Sequence, residues 1–246
     1  MVVILTLLHQ KFYWADSQNE DRVLIFTTIS NLKLLNNLRE WLCDGIFNIS
    51  PLIYKQLFSI HAIFNGKSLP LVYAFLPSKE TRIYIKFFEM LMKSDLGESE
   101  KLVPPKSVNC DFEKGIHKAA RIVFDSEIYG CFFHMSQNWI KRIKVEGCTK
   151  YWLIDKHFVK TFKLCQSLAY LPVADVCSGF DQIKIQSNIN FEPIIIYIES
   201  NYIRNNNKPA RFPIETWNLY ERDIAGQPTS NNPVESWDAI YCIIYK

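Results

Sequence analysis

No apolar stretch in this 246-residue chain is long enough to cross a membrane: the run from Met1 to Leu8 falls far short of the roughly 18 residues a spanning helix needs. That run also lacks the basic leader and small-residue cleavage site of a secretory signal, so a buried strand or a gene-model artefact is the plainer reading. Charge of neither sign dominates. A net +3 is too mild to identify a nucleic-acid partner by itself. Internal repeats and low-complexity tracts are absent, which excludes solenoids and biased linkers. The cysteines, at 43, 110, 131, 148, 165, 177 and 242, are odd in number and scattered. They do not read as a secreted disulfide framework, so a reducing compartment is expected, where the Asn48-Ile49-Ser50 sequon has no consequence.

What is present is an ordinary globular composition, 48% hydrophobic and 22% charged. It excludes long disorder, collagen and coiled coil. The length suggests one large domain or one domain with an insertion, able to bury a core without disulfides or structural metals.

Residues 1–36 form a lead-in in which Arg22–Thr27 reads as a strand from its β-branched and aromatic content. From Glu40 the pattern sharpens. Strands are predicted over Trp41–Ile49, Gln56–Asn65 and Ser68–Leu76, with Asn65-Gly66 a hairpin turn between the last two. Ile83, Phe87, Met90 and Leu91 recur at helical spacing after Ser78. A short strand over Ser107–Asp111, an amphipathic helix over Glu113–Phe124, a fifth strand over Glu127–Phe133 and a helix opening at Ser136 complete a core at 37–145. The fold class is α/β, a mixed five-stranded sheet flanked by helices. Residues 146–212 read as a mostly helical insertion. Residues 213–246 follow as a terminal region whose Asn231–Trp237 stretch looks like a capped helix start, and the chain stops early at Lys246.

After a three-strand meander, a strand reached through a helix lies beside the first strand and parallel to it, by right-handed crossover. That brings Asp44, on the first strand, next to Asp111, at the end of the fourth. Each follows a cysteine, Cys43 and Cys110. If the cysteines face the core as small hydrophobes, strand alternation turns both acids to the other surface. An acid at a strand end is ordinarily a solvated cap, but two adjacent carboxylates repel unless a proton or cation sits between them. Hard oxygen ligands suit Mg²⁺ or Mn²⁺. Glu235, on the terminal helix, would complete an acidic cluster. Such a cluster suits phosphoryl transfer with two metal ions roughly 3.5–4 Å apart.

Here a resemblance enters. Trp41-Leu42-Cys43-Asp44-Gly45-Ile46-Phe47 resembles the first-strand DGTF block of Mutator-like element (MULE) transposases, with Ile46 where the family usually has Thr. Leu57–Pro77, with His61, Asn65-Gly66 and Pro70, resembles the segment after it. Cys110-Asp111-Phe112-Glu113-Lys114 resembles the TDFE block, and Cys131-Phe132-Phe133-His134 the CxxH block. Arg211–Asn218 and Thr229–Trp237 resemble the last blocks, which carry the catalytic Glu. The similarity spans about residues 22–240.

The resemblance implies a ribonuclease H-like fold, a DDE triad of Asp44, Asp111 and Glu235 holding two Mg²⁺ or Mn²⁺ ions, and a helical insertion before the Glu. It implies cleavage of double-stranded DNA at element ends and joining of the freed 3′-OH to target DNA. Nuclear action follows, with a homodimer as a candidate assembly and no membrane. Many relatives add an N-terminal zinc-binding module and more chain after the Glu helix. Their absence between residues 1 and 246 supports an alternative: a truncated or domesticated relative that binds DNA or a protein partner without cutting.

Cys131 and His134 supply at most two ligands where a structural zinc needs about four, so zinc is not expected. Either they position active-site or DNA groups, or they are a buried thiol and a hydrogen-bonded ring. Between Lys141 and Lys163 seven bases face two acids; Lys141, Arg142 and Lys144 open that stretch, and Arg204, Lys208 and Arg211 form a second basic group. These are candidate backbone contacts to DNA, or simply a solvated face. Trp152 and Trp217 could stack on an unpaired base or serve the core.

Overall fold

A computed structural model describes residues 11–18, 20–46, 50–97, 100–204 and 208–226. The described residues form two compact units, the first ending at Tyr129 and the second beginning at Gly130.

The first unit is built on a mixed sheet. Its strands are β1 (Tyr13–Asp16), β2 (Leu24–Phe26), β3 (Glu40–Ile46), β4 (Gln56–Phe64), β5 (Lys67–Leu76), β6 (Ser107–Cys110) and β7 (Glu127–Gly130), in the spatial order β1-β2-β5-β4-β3-β6-β7. β3, β4 and β5 make the antiparallel meander, and β6 lies parallel to β3 as the crossover argument requires. The turn between β4 and β5 is Asn65-Gly66, both with positive φ, the backbone a two-residue hairpin of this twist demands.

The expected count of five strands is corrected to seven among the described residues. β5 is ten residues long and would be an exposed edge, open to pairing with other chains. β2 covers it, pairing Leu24 with Phe75 and Phe26 with Tyr73, and β1 covers β2 in turn. Pro70, which has no N–H to give, lies beyond the stretch of β5 that β2 pairs. The lead-in also holds a helix, α1 (Ile29–Asn37), whose N-cap Thr28 accepts a 3.1 Å hydrogen bond from the Asn31 N–H.

One face of the sheet carries the apolar core. Trp41 and Cys43 of β3, Phe58, Ile60 and Ala62 of β4, Val72 and Ala74 of β5, and Val108 and Cys110 of β6 pack in it with Leu32 and Leu35 of α1. Two further helices close the same core, α2 (Thr81–Met92) through Phe87, Phe88 and Leu91, and α3 (Lys114–Val123) through Ile116, Ala119 and Ala120. The spacing of these residues is the helical one read from the sequence. The loop before α2 approaches α3 closely at Gly115, where a Cβ would lie 2.4 Å from the Lys79 carbonyl oxygen.

The second unit is helical: α4 (Phe132–Val145), α5 (Thr149–Ile154), α6 (Lys156–Ser167), α7 (Val176–Gln186), α8 (Glu192–Ile198), α9 (Ile214–Trp217) and α10 (Tyr220–Ile224), with single 3-10 and π turns between. Trp139, Phe158, Phe162, Phe180, Phe191, Tyr202 and Trp217 are buried in it. Asp155 caps α6 by accepting from the N–H groups of His157 and Phe158, at 2.9 and 3.1 Å. The strand expected over Glu127–Phe133 ends at Gly130, and the helix opens earlier than Ser136. Among the described residues no helix is long and apolar enough to cross a membrane.

Substituting Gly115→Ala should destabilise the chain by about 1–3 kcal/mol, because the clash partner is backbone and cannot swing away. Urea unfolding monitored by circular dichroism measures this, with Lys118→Ala, on the exposed side of α3, as the neutral comparison. Equal midpoints for the two variants would contradict the close approach.

Candidate active site

The parallel pair β3–β6 runs in one-to-one register: Glu40 opposite Ser107, Trp41 opposite Val108, Leu42 opposite Asn109. Continued by two residues, that register sets Cys43 level with Cys110 and Asp44 level with Asp111. Asp44 lies within β3 and Asp111 is the first residue past β6, so the inter-strand spacing of about 4.7–4.9 Å sets the scale of their separation. Both cysteines are fully buried in the core, and both acids are half-buried. Burial, and next to it the charge of Asp44, pushes the Cys43 thiol up, so it stays a neutral packing residue. The six described cysteines are all free thiols.

The acids share a local geometry. Asp44 Oδ1 accepts from the Gly45 N–H at 2.7 Å, and Asp111 Oδ1 from the Phe112 N–H at 2.5 Å. Each carboxylate is thereby turned back on the chain that follows it.

Around Asp111 the backbone is pinned. Its carbonyl oxygen accepts from the Glu113 N–H at 2.8 Å and lies 2.9 Å from His117 Nε2. A carbonyl only accepts, so His117 is the Nε2–H tautomer here. Its burial holds its pKa down to about 4. Glu113 is not part of the acid pair. Its carboxylate takes Lys79 Nζ at 2.7 Å and the Tyr84 hydroxyl at 2.9 Å, and Tyr84 receives Gln56 Nε2 at 2.8 Å. That chain fastens the start of α3 to α2 and β4, and so fixes where Asp111 leaves the sheet.

Around Asp44 the cross-strand partner is Ser59, with Leu42 opposite His61. Ser59 and His61 are fully buried. His61 Nε2 lies 3.1 Å from Ser59 Oγ and Nδ1 lies 3.0 Å from Ser68 Oγ. Desolvation lowers the His61 pKa to about 3, which keeps the ring neutral. Ser59, Ser68 and His117 were not singled out from the sequence. The available signal was on β4, where Ser59 and His61 alternate with Phe58, Ile60 and Ala62.

The other candidates fall as follows. Glu235 lies outside the described residues, and with it the helix read at Asn231–Trp237. Among the described residues no three His, Cys, Asp or Glu side chains converge on one point. Cys131 is the residue before α4 and is buried, and His134 stands in that helix's first turn. They form the start of a helix, where a strand end was expected. Lys141 and Lys144 are exposed on α4. Arg142 pairs with Glu146 and lies over the Tyr197 ring, 5.2 Å from its centroid. Arg204 is held by Asp181 and Glu199, the Nη1–Asp181 Oδ2 distance being 3.2 Å. Lys208 and Arg211 are exposed. Trp217 is buried with its Nε1–H on the Tyr202 carbonyl at 3.0 Å, and Trp152 packs on Phe162.

Comparison with protein-family models, with curated proteins and with solved structures returns no match.

The two buried histidines make stability pH-dependent. Each folded-state pKa is depressed below the ordinary 6.5, so below pH 6.5 the unfolded chain binds protons that the folded one refuses. Stability is therefore fully present above that pH and is lost as pH falls toward about 4, by at most about 1.4 kcal/mol per pH unit for each ring. Urea midpoints at pH 7, 6 and 5 should decline, and His117→Gln should flatten the decline. A level wild-type profile over that range would show the rings are not held neutral.

Proposed function

We propose that the chain is the catalytic domain of a DDE-type DNA transposase related to the Mutator-like family, with a ribonuclease H-like core. The observation that carries this reading is the parallel β3–β6 register, paired through Leu42 and Asn109, each two residues before one of the proposed acids, Asp44 and Asp111. The order β5-β4-β3-β6-β7, a meander extended by two crossover strands, supports the ribonuclease H-like assignment, with β1 and β2 added at its outer edge.

Asp44, within β3, and Asp111, directly after β6, offer carboxylate oxygens, hard donors that fit Mg²⁺ or Mn²⁺. Glu235 is the proposed third acid. When bound, the ions supply charge stabilisation to both the attacking and the leaving oxygen of the phosphodiester. The chain's own residues do the positioning. Glu113 and His117 fix the backbone of Asp111, and the sheet fixes the separation of the two carboxylates. The nucleophile is water in the cutting step and a DNA 3′-OH in the joining step, and no covalent protein intermediate is required. Lys141, Lys144, Lys208 and Arg211 are the proposed contacts to duplex backbone. Arg142 and Arg204 already serve internal acids and are weaker candidates for that role than their sequence positions imply. The DNA substrate implies nuclear action.

Incubating the full chain with supercoiled plasmid and Mn²⁺ tests the reading. Nicked or linear product is expected, falling about a thousandfold or more in Asp44→Asn and in Asp111→Asn. Joined DNA would indicate a transposase, and breaks alone a nuclease using the same acids. Salt-sensitive DNA binding without metal-dependent cleavage would overturn the catalytic assignment in favour of a binding module.

A further inference from the structure

Turn tips usually carry Gly, Asn, Asp, Ser or Pro, residues that suit both the backbone and the water around it. The connection from β3 to β4 departs from that rule. The Tyr54 N–H donates to the Pro51 carbonyl at 2.8 Å, which closes a turn with Leu52 and Ile53 at its two central positions. Both are exposed, Leu52 completely and Ile53 by 75%. A single exposed apolar residue is ordinary, but two bulky neighbours at one turn tip gain nothing from packing.

The turn is held in place. The Ser50 hydroxyl donates to the Tyr54 carbonyl at 3.2 Å, and the Lys55 N–H donates to the Leu76 carbonyl at 2.9 Å, at the end of β5. Tyr54 is buried and stacks on Phe75, with ring centroids 5.3 Å apart and planes 27° from parallel. Pro51 restricts the backbone on the other side. Leu52 and Ile53 therefore stand on a fixed support without being buried by it.

That support belongs to the face of the sheet that carries Asp44. Phe75 lies between Ala74 and Leu76, which pack in the helix-covered core, so strand alternation puts its ring on the opposite side. The register joins Asp44, Ser59 and Tyr73 in one row across β3, β4 and β5, and Ile46, Leu57 and Phe75 in a row two residues further on. Two strand spacings and two residues along separate Phe75 from Asp44, on the order of 12 Å. A base step rises ~3.4 Å, so a duplex lying on Asp44 reaches the turn within about four steps.

Charge selects the partner. Between Asp44 and Glu80 the sequence has no acid, and its cations are Lys55, Lys67 and Lys79. Lys55 is exposed directly beside the turn. An apolar tip with a cation at its base fits an anion with an apolar interior, and duplex DNA is one, with phosphates outside and stacked bases within. A lipid surface has the same two layers, but two side chains are far smaller than the apolar face by which a helix lies in a membrane.

We propose that Leu52 and Ile53 form an apolar wedge that enters duplex DNA between base pairs, unstacking a step within about four pairs of the phosphodiester facing Asp44. This rests on DNA being the substrate of the Asp44 site. Leu and Ile are among the side chains that wedge between base steps, and an unstacked step lets the duplex kink. Acids set in a sheet cannot travel to a phosphate, so the strand is the part that moves.

Duplexes carrying 2-aminopurine, mixed with the full chain in EDTA, test the wedge without cleavage. The wild-type chain should raise the fluorescence several-fold, as unstacking does. It should also bind a mismatched duplex about tenfold tighter than a matched one, because a mismatch lowers the cost of unstacking. In Leu52→Ser/Ile53→Ser the rise and the preference should vanish. Matched-duplex affinity should stay within about twofold, since phosphate contacts carry it, and the thermal midpoint should not move. Leu52→Asn, a residue turns favour, should at least halve the rise and covers the case in which the double variant misfolds. A full rise in either variant, or wild-type binding without any rise, overturns the wedge while leaving DNA as the substrate. A rise without Mn²⁺-dependent cleavage supports the wedge and overturns the catalytic assignment; no DNA binding overturns both. If the serine variant instead loses a wild-type dimer in light scattering, or sedimentation with phosphatidylserine vesicles, the tip belongs to a second copy or to lipid, and the wedge is overturned.

Discussion

The candidate site depends on one constraint, the in-register parallel pairing of β3 with β6. Side chains alternate with period two, so a slip of one residue would turn Asp44 into the core and leave Asp111 outside it, or the reverse. Several contacts hold the register at the far end from the acids. The Arg39 carbonyl accepts from the Lys106 N–H at 2.7 Å, and the Arg39 guanidinium donates to the Pro104 carbonyl, also at 2.7 Å for Nη2. The Glu127 N–H then reaches the Lys106 carbonyl at 3.1 Å, joining the start of β7 to the start of β6. Trp41 meets Phe124 edge to face, with ring centroids 5.4 Å apart. Fixing the strands where they start determines which residues are level where they end.

The same logic extends through the polar chain of Gln56, Tyr84, Glu113 and Lys79. Glu113 bears a charge that is costly to place near a core without partners. It has two, and Tyr84 has Gln56 behind it. The arrangement joins β4, the loop before α2, α2 and the start of α3 into one piece. Burial, with the charge of Glu113 next, pushes the Tyr84 hydroxyl up, so it remains a donor. The block Asp111-Phe112-Glu113 therefore divides its labour: the first acid faces the site, the aromatic is buried, and the second acid secures the corner.

Much of this was legible in the residues. The crossover rule put β6 parallel to β3, the Cys-Asp alternation put both cysteines in the core, and Asn65-Gly66 marked the hairpin. What escaped notice was non-local. Arg22–Thr27 read as a strand, but its place on the free edge of β5 did not, and β1, four residues long, has only β2 as its partner. Gly130 ends β7 and α4 begins at Phe132, but Cys131-Phe132-Phe133 is an apolar run that strand and buried helix fit equally. His117 escaped because the α3 face was counted from its apolar members alone. The second basic group was counted as free charge, yet Arg204 is neutralised by Asp181, twenty-three residues away in sequence. A formal charge count has no access to such pairs.

The two faces of the sheet put different demands on the sequence. Apart from Gln56, which bonds Tyr84 of α2, the helix-covered face follows the local rules: alternating apolar side chains, neutral thiols and edge-to-face aromatics such as Phe58 on Phe87. The opposite face breaks those rules with Asp44 on β3, Ser59 and His61 on β4 and Asn109 on β6, and Asp111 follows directly after β6. Buried hydroxyls and a buried imidazole cost stability compared with the leucines or valines that would fit there. Sequences that are consistent elsewhere tend to depart from consistency where they carry function. Packing alone does not call for a buried hydroxyl and a buried imidazole on the strand that pairs with Asp44. A sheet that must hold two carboxylates in fixed orientation for a cation has a direct use for them.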